Sequence, residues 1–211
     1  MGSNVVSVGV PVGSRTPRGS GCLNAENRGE SSAGGAPVRL DDCAFETARL
    51  SVADWHSQID GVETLVEAVC EMLTTDVTEQ LPPSWQGPYS AERAAAWISD
   101  RDADGILLLA IRADTREPVG LLMLHEDESS AGGRIDVRIG YLVTPGQWGR
   151  GFATELLAGL IDWARVSGVA SMIAGVAQSN GASIRVLEKC GLARVDGKRP
   201  GDSEYLYRMD L

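Results

Sequence analysis

The sequence lacks a hydrophobic run long enough to cross a membrane, and it lacks paired cysteines. Its apolar stretch at 105–111 is far shorter than the roughly 20 residues that a spanning helix needs. The N-terminus has no basic region followed by an apolar core, so no secretion signal is predicted. The four cysteines are scattered, without a Cys-x-x-Cys pair: Cys22, Cys43, Cys70 and Cys190. This spacing argues against a zinc site or a disulfide framework and is typical of the reducing cytoplasm.

Positive charge is also scarce. The chain has 19 basic and 29 acidic residues and a formal net charge of −10. A nucleic-acid partner is therefore not expected, because neutralising phosphates requires a basic face. The acidity would attract a cationic amine or a basic peptide over long range, or it serves solubility alone.

The composition divides the chain into a tail and one domain. Residues 1–40 are rich in Gly, Ser, Pro and Arg and have few large apolar side chains. Such a segment buries too little surface to offset the entropy of ordering, so a disordered N-terminal tail is predicted at 1–40. Residues 41–211 are long enough for one well-buried domain.

Hydrophobic periodicity predicts a mixed α+β fold. Period-two alternation predicts strands at 45–52, 106–111, 119–125, 135–143, 170–176, 192–195 and 205–209. Period-3.6 patterns predict helices at 54–73, 91–100, 153–164 and 180–190, the first of them interruptible at Gly61. The strands first form an antiparallel meander and later alternate with helices. This order predicts a mixed, mostly antiparallel sheet with helices on both faces.

The strand at 135–143 leads through a glycine-containing loop into a strongly periodic helix. Gly149 and Gly151 let a ligand approach the backbone, and Arg150 adds a positive charge between them. The unpaired N–H groups and positive dipole end of the following helix favour an anion such as phosphate. A tight turn without a ligand is the alternative. The spacing fits neither a nucleoside-triphosphatase loop nor a dinucleotide-binding fingerprint.

Three stretches resemble the GNAT family of N-acetyltransferases, and most closely its ribosomal-protein N-terminal alanine and serine acetyltransferases. The loop Trp148-Gly149-Arg150-Gly151-Phe152-Ala153-Thr154-Glu155 is similar to the family's acyl-CoA pyrophosphate loop. Residues 180–192 resemble its second signature, and residues 46–50 resemble its first strand. The resemblance extends from about residue 45 to the end of the chain.

The resemblance implies a sheet of six to seven strands whose central strands splay apart to admit acetyl-CoA, with no metal ion. The pyrophosphate would be held by the loop residues Trp148, Gly149, Arg150, Gly151, Phe152, Ala153 and Thr154. The N–H of Leu142 or Val143 would polarise the acetyl carbonyl, and Asn180 would bind the pantetheine arm. Ser183 would face the sulfur as an acid or anchor. No acyl-enzyme is expected, so Ser183 and Cys190 should not be nucleophiles; a homodimer is implied by the resemblance alone.

The sequence departs from the family pattern at several positions. Trp148 stands where many members have Gln or Arg, and Leu187 stands where many have a tyrosine acid. Arg138 occupies a position where the nearby branch often has Glu. Asp136 lies two residues earlier on the same strand face, which makes it either a base acting through water or a structural carboxylate. His125, at a strand end, is a further candidate base.

The predicted function is transfer of an acetyl group from acetyl-CoA to a primary amine by direct attack in a ternary complex. The acceptor is a protein or peptide N-terminus or a small amine, selected by the loops at 76–89 and 126–133. Trp85, in the first of these loops, either shapes that site or fills the edge of the core. The alternatives are a non-catalytic acyl-CoA-binding sensor or scaffold and a loop that binds another phosphate ligand.

Overall fold

The computed structural model describes residues 5–6, 39–79, 81–127, 130, 135–195 and 203–211. Most of the predicted tail at 1–40 lies outside the described residues, as does part of the predicted acceptor loop at 126–133. Within the tail, Val5–Val6 forms a short strand that the composition did not predict.

Nine strands and six α-helices make up the described chain. The strands are β1 Val5–Val6, β2 Phe45–Glu46, β3 Leu50–Asp54, β4 Ile106–Arg112, β5 Pro118–Glu126, β6 Asp136–Val143, β7 Ser171–Ala177, β8 Ala193–Arg194 and β9 Glu204–Asp210. The helices are α1 Trp55–Gln58, α2 Val62–Met72, α3 Thr75–Thr78, α4 Ala91–Asp104, α5 Phe152–Ser167 and α6 Gly181–Lys189. None of the helices in this described part is both long and apolar enough to cross a membrane.

The strands form one mixed sheet in the order β2-β3-β4-β5-β6-β7-β9-β8, and β1 adds to β6 off this path. Every pairing is antiparallel except that of β6 with β7, which α5 connects. The α+β class and the mostly antiparallel sheet are therefore confirmed. The strand count exceeds the predicted six to seven because β1 was not predicted and the strand predicted at 45–52 is divided into β2 and β3.

Helices cover both faces of the sheet, as the alternating pattern predicts. On one face α5 and α6 pack against a core that includes Tyr141 and Leu156. On the other face α1, α2 and α4 pack against a core that includes Trp55 and Leu142. Tyr141 and Leu142 are neighbours on β6 and belong to opposite cores, because successive strand residues point to opposite faces.

The predicted splay of the central strands is present between β6 and β7. Their parallel pairing begins at Asp136 with Ser171 and ends at Ile139 with Ala174. Both strands then continue, β6 to Val143 and β7 to Ala177. We call the space between residues 140–143 of β6 and 175–177 of β7 the gap.

The segment after β3 contains several short helices. The predicted helix at 54–73 is divided near Gly61, where an interruption was expected, into α1 and α2; the φ of 91° at Gly61 favours glycine. The predicted extended loop at 76–89 contains α3 and a short 3-10 turn, Pro83–Trp85. Trp85 is buried and packs edge-on against Trp97 with ring centroids 5.4 Å apart. Of the two alternatives for Trp85, the structure supports the core residue.

Candidate functional site

The loop after β6 has a backbone that only glycine adopts readily. A short 3-10 turn, Pro145–Gln147, is followed by Trp148 and then by Gly149 and Gly151, with φ of 73° and 83°. A Cβ on Gly149 would meet no atom within 4 Å. We call residues 148–151 the glycine loop; it leaves open space beside the backbone immediately before α5.

Three backbone N–H groups at the start of α5 have no hydrogen-bond acceptor within the helix. The first hydrogen bond of the helix runs from the Glu155 N–H to the Gly151 carbonyl over 3.1 Å. The N–H groups of Phe152, Ala153 and Thr154 precede it, and no acceptor for them occurs among the described residues. Together with the helix dipole and the exposed Arg150, these donors form a place for an anion.

Trp148 closes the end of β6. Its indole Nε1 donates to the Val143 carbonyl over 2.6 Å, and its ring packs against both cores. The tryptophan side chain therefore holds the end of the strand and the loop together. This contact explains how an indole can stand where many family members have Gln or Arg, since the loop still presents its backbone.

The backbone of β6 presents alternate residues to the gap. A side chain at Gly120 would collide with the Leu142 carbonyl, so this carbonyl points towards β5. The Thr144 N–H also points towards β5, where it donates to the Val119 carbonyl over 2.9 Å. Because backbone groups alternate in direction along a strand, the Val143 amide faces the gap, in agreement with the indole bound to its carbonyl.

A brace beneath the glycine loop was missed by the sequence analysis. The Glu155 carboxylate accepts hydrogen bonds from the Thr47 hydroxyl at 2.6 Å, the Arg49 N–H at 2.8 Å and the Arg49 Nε at 2.6 Å. Arg49 Nη1 also donates to the Arg150 carbonyl at 3.1 Å, and its guanidinium lies 4.2 Å above the Phe152 ring. The turn between β2 and β3 thus holds the loop and the first turn of α5 together.

The brace changes the charge balance at this helix end. Burial alone would raise the pKa of Glu155, but the hydrogen bonds from Thr47 and Arg49 outweigh it and hold this pKa below its usual value. The carboxylate is therefore ionised and paired with Arg49. A carboxylate in the first turn of a phosphate-binding helix repels the ligand unless a cation compensates its charge. The position of Glu155 in the sequence therefore indicated that a basic partner was needed.

Asn180 and Ser183 lie together at the start of α6. The Asn180 Oδ1 accepts a hydrogen bond from the Ser183 N–H over 3.1 Å, so the asparagine caps the helix. Both residues are buried. Burial raises the pKa of Tyr141, and the Ser183 side chain beside it acts in the opposite direction. Ser183 therefore lies against β6 rather than at the surface.

Asp136 lies apart from this group. It begins β6, seven positions before Val143, which at about 3.3 Å per residue places the two roughly 23 Å apart. Its Oδ1 accepts a hydrogen bond from the Ser171 hydroxyl over 2.5 Å and lies 3.5 Å from Arg208 Nη2. Nearby, Arg138 binds Asp127 over 2.6 Å. The catalytic role considered for Asp136 stays a prediction.

Glu204 is a carboxylate that the sequence analysis did not select. It pairs with Ala177 in the β7–β9 register, level with the gap. Glu204 is exposed at the surface, but partial desolvation by neighbouring groups raises its pKa, and the nearby Arg138 partly offsets this effect. A glutamate at a strand end is usually solvated, so nothing local in the sequence distinguished it. His125, the other candidate base, lies with its ring against Gly105.

No group of three potential metal ligands occurs within the residues that the structure describes. Of the cysteines, Cys43 is buried, which raises its pKa to about 12. Burial also raises the pKa of Cys190, whose Sγ lies 3.6 Å from the Thr154 carbonyl. Both thiols are therefore held in the protonated form, which is the weaker nucleophile.

Comparison with known proteins gives a family and a set of similar folds. Residues 61–193, more than half of the chain, match the family model described as an acetyltransferase (GNAT) domain. No curated protein sequence matches the chain significantly. A GNAT-family acetyltransferase from Bacillus anthracis is 21% identical, with a TM-score of 0.63; the alignment covers 80% of this chain and 98% of that one.

Two further solved structures have the same fold. The ribosomal-protein-alanine N-acetyltransferase from Brucella melitensis is 22% identical, with a TM-score of 0.54, over 76% of this chain and 99% of its own. A Salmonella typhimurium structure with its cofactor acetyl-CoA is 22% identical, with a TM-score of 0.50, over 77% of this chain and 92% of its own. The match to the family model agrees with the parted strands and the glycine loop. The chain therefore belongs to the GNAT family of acetyltransferases, which use acetyl-CoA as the acetyl donor.

Proposed function

We propose that this GNAT enzyme binds acetyl-CoA with the pyrophosphate at the start of α5 and the pantetheine arm in the gap, and acetylates a primary amine. The observation that carries the proposal is the row of uncommitted N–H groups on Phe152, Ala153 and Thr154, directly beside parted strands. Acetyl-CoA supplies an activated acetyl thioester. The residues of this chain bind it, orient it and move protons around it.

The glycine loop suits a diphosphate in shape and charge. The positive φ values of Gly149 and Gly151 turn the backbone so that α5 begins at the loop, and Arg150 is exposed beside it. The donors are held by the brace of Arg49 and Glu155 and need no rearrangement when the anion arrives. Preorganised donors of this kind bind an anion without the cost of ordering a mobile loop.

Of the two amides considered for the acetyl carbonyl, the alternation of β6 favours Val143 over Leu142. The Val143 N–H faces the gap, whereas the Leu142 carbonyl, and with it the backbone of that residue, faces β5. A fixed N–H aimed at the carbonyl oxygen stabilises the negative charge that develops there during acyl transfer. Ser183, beside β6 at the start of α6, is the proton donor for the departing thiolate.

Glu204 is the stronger candidate for the general base. An ammonium ion has no lone pair, so the acceptor must lose a proton before it attacks. Glu204 lies level with the gap and has a raised pKa, which improves a carboxylate as a base near neutral pH. Asp136 is bound by Ser171 and Arg208 at the other end of β6, where a structural role suits it better.

The acceptor that we propose is a protein or peptide N-terminus. Its support is the resemblance of the motifs to the N-terminal alanine and serine acetyltransferases and the shared fold with the Brucella melitensis enzyme. The net charge of −10 also attracts a cationic acceptor. A small amine is the second candidate on the same charge argument. A cytoplasmic location and a homodimer stay predictions.

The test is a free-thiol release assay with acetyl-CoA, using peptides that begin with Ala, Ser or Met and a panel of small amines. Matched peptides with a blocked N-terminus and reactions without acceptor are the controls. Release that requires a free N-terminus supports the proposal, and release with small amines alone moves the acceptor to that class. Tight acetyl-CoA binding without release by any acceptor would support the sensor alternative instead.

A second measurement tests the ligand class independently of turnover. Acetyl-CoA, NAD and ATP are compared at equal concentration for the rise in melting temperature that each produces. A ligand that binds only the folded state stabilises it by mass action, so the largest shift identifies the preferred ligand. Stabilisation by NAD or ATP without stabilisation by acetyl-CoA would contradict the assignment of the glycine loop.

A further inference from the structure

The short strand β1 lies in the gap. Val5 pairs with Leu142 and Val6 pairs with Tyr141 in antiparallel register, on the side of β6 that β7 has left. Cα atoms of β1 also lie within 8 Å of Cα atoms of β7. The chain's own N-terminal segment is therefore inserted between the two parted strands, in the space that the proposed function gives to the pantetheine arm.

The edge of β6 requires a partner there. Beyond Ile139 the strand has no β7 residue beside it, and alternate backbone groups, including the Val143 amide, face the gap. An unpaired strand edge is a template for an added strand, because each exposed N–H and C=O seeks a partner. Val5 and Val6 are β-branched residues, which suit an extended strand.

Only one extended chain fits beside β6 in this space. Adjacent strands lie about 4.7–4.9 Å apart, and a strand that contacts both β6 and β7 leaves no room for a second chain between them. A pantetheine arm in the gap would need the same backbone edge. The strand β1 and the acyl donor therefore exclude each other.

Resting on the proposed function, we propose that Val5–Val6 is an internal ligand of the gap that competes with acetyl-CoA, so that the enzyme is partly autoinhibited. Because strand and gap belong to one chain, the competition is independent of protein concentration. A two-residue strand offers few hydrogen bonds, so acetyl-CoA, which also binds through its phosphates, can displace it. The apparent dissociation constant for acetyl-CoA then equals the intrinsic constant divided by the fraction of molecules whose gap is free.

The test uses full-length protein with Val5 and Val6 both replaced by proline, V5P/V6P. Proline cannot donate to a strand ladder, so the pairing with β6 is lost. The matched control, V10P/V12P, makes the same two replacements outside β1. We expect V5P/V6P to bind acetyl-CoA about tenfold more tightly by calorimetry, which corresponds to a gap free in about one molecule in ten. The control should match the unmodified protein.

Hydrogen exchange supplies a readout that needs no cofactor. In the ligand-free protein, the amides of Tyr141 and Val143 should exchange faster in V5P/V6P than in the control, while amides of β4 stay unchanged. Equal acetyl-CoA affinity in all three proteins would overturn the internal ligand and leave the proposed function standing. Weaker binding by V5P/V6P would also overturn it, since β1 would then support the site. Failure of all three proteins to bind acetyl-CoA would overturn both proposals.

Discussion

The two ends of β6 differ in how fully their polar groups are satisfied. At its start, Asp136 is bound by Ser171 and Arg208, and β7 pairs alongside. At its end, β7 has parted from the strand, Val143 faces the gap, and the following helix begins with uncommitted N–H groups. We call the end that pairs with β7 the closed end, and the end that has parted from β7, beside which β1 lies, the open end.

The difference separates residues that hold the sheet together from residues that are free to bind. Buried polar groups normally find partners, and those at the closed end have done so. The donors at the open end lie in the first turn of a helix, where the backbone N–H groups have no acceptor within the helix and water or a ligand completes them. Changes at the closed end should therefore alter stability, and changes at the open end should alter binding and turnover.

The largest effect is expected from Gly151→Glu, which removes the anion site at the open end. The left-handed backbone at Gly151 disfavours any side chain, and the new carboxylate would occupy the phosphate position. Juxtaposed like charges cost several kcal/mol, so acetyl-CoA affinity should fall by about 100-fold or more. Calorimetry measures this change. Gly146→Glu adds the same charge within the preceding turn and is the control; equal affinities in the two variants would contradict the site.

Glu204→Gln and Asp136→Asn compare a carboxylate from each end. Loss of a general base typically costs 10²–10⁴-fold, so Glu204→Gln should lower kcat/KM by about 100-fold and remove the acidic limb of its pH profile. Asp136→Asn should instead lower the free energy of unfolding by about 1–3 kcal/mol, with turnover per folded molecule nearly unchanged. If the kinetic loss falls on Asp136→Asn, the base is at the closed end.

Ser183→Ala tests the proton donor proposed for the departing thiolate. The Ser183 N–H that binds Asn180 is kept, so the α6 cap should survive. We expect kcat to fall by about 10–30-fold. This loss is smaller than is typical for an acid–base residue, because a water molecule can partly take over proton donation from the missing hydroxyl. The dissociation constant for acetyl-CoA should change less than twofold. Equal kinetics in the two proteins would remove Ser183 from the mechanism.

Arg49→Ala should loosen the glycine loop without touching the reacting atoms. It removes the bonds from the Arg49 side chain to Glu155 and to the Arg150 carbonyl. We expect the KM for acetyl-CoA to rise about tenfold, the equivalent of 1.4 kcal/mol, with kcat changed much less. Arg49→Lys should recover part of the loss. Arg165→Ala, which removes an arginine paired with Asp162 at the opposite end of α5, is the control.

The sequence predicted the elements that depend on local pattern. The β6–α5 unit, with its alternating strand, glycine loop and periodic helix, was predicted almost to its boundaries, and the helix predicted at 91–100 is α4. The helix predicted at 54–73 is divided near Gly61, where an interruption was expected, whereas the short helical turns in the loop at 76–89 were not predicted. Hydrophobic periodicity indicates the buried face of a long element but does not reveal short turns between such elements.

The parts of the site that could not be predicted depend on contacts between distant residues. The Arg49 N–H reaches a Glu155 carboxylate 106 positions away, and no local pattern reports such a pairing. Desolvation by neighbouring groups raises the pKa of Glu204, and sheet register places this residue level with the gap, one strand beyond β7. The strand Val5–Val6 lies in a segment whose composition predicts disorder, and its pairing depends on the distant edge of β6 that β7 leaves uncovered.

The smallest effect is expected from Glu155→Gln, and its pH dependence identifies the brace as an ion pair. Since the folded pKa of Glu155 lies below its unfolded value of about 4.3, the pair stabilises the fold fully above that value. This contribution is lost as pH falls through the folded pKa. Unfolding free energies of the unmodified protein and the variant should therefore differ by about 1 kcal/mol near neutral pH, allowing for the exposure of Arg49, and converge as pH falls through the folded pKa of Glu155.

Denaturant titrations from pH 3 to pH 7 measure this difference. Glu92→Gln is the matched control, because Glu92 also lies in the first turn of a helix but is exposed at the surface. A difference between Glu155→Gln and the unmodified protein that stays constant with pH would show that the side chain acts by packing, not by charge. In that case Arg49 would hold the glycine loop through the Arg150 carbonyl alone, and the KM effect of Arg49→Ala should survive in the Glu155→Gln background.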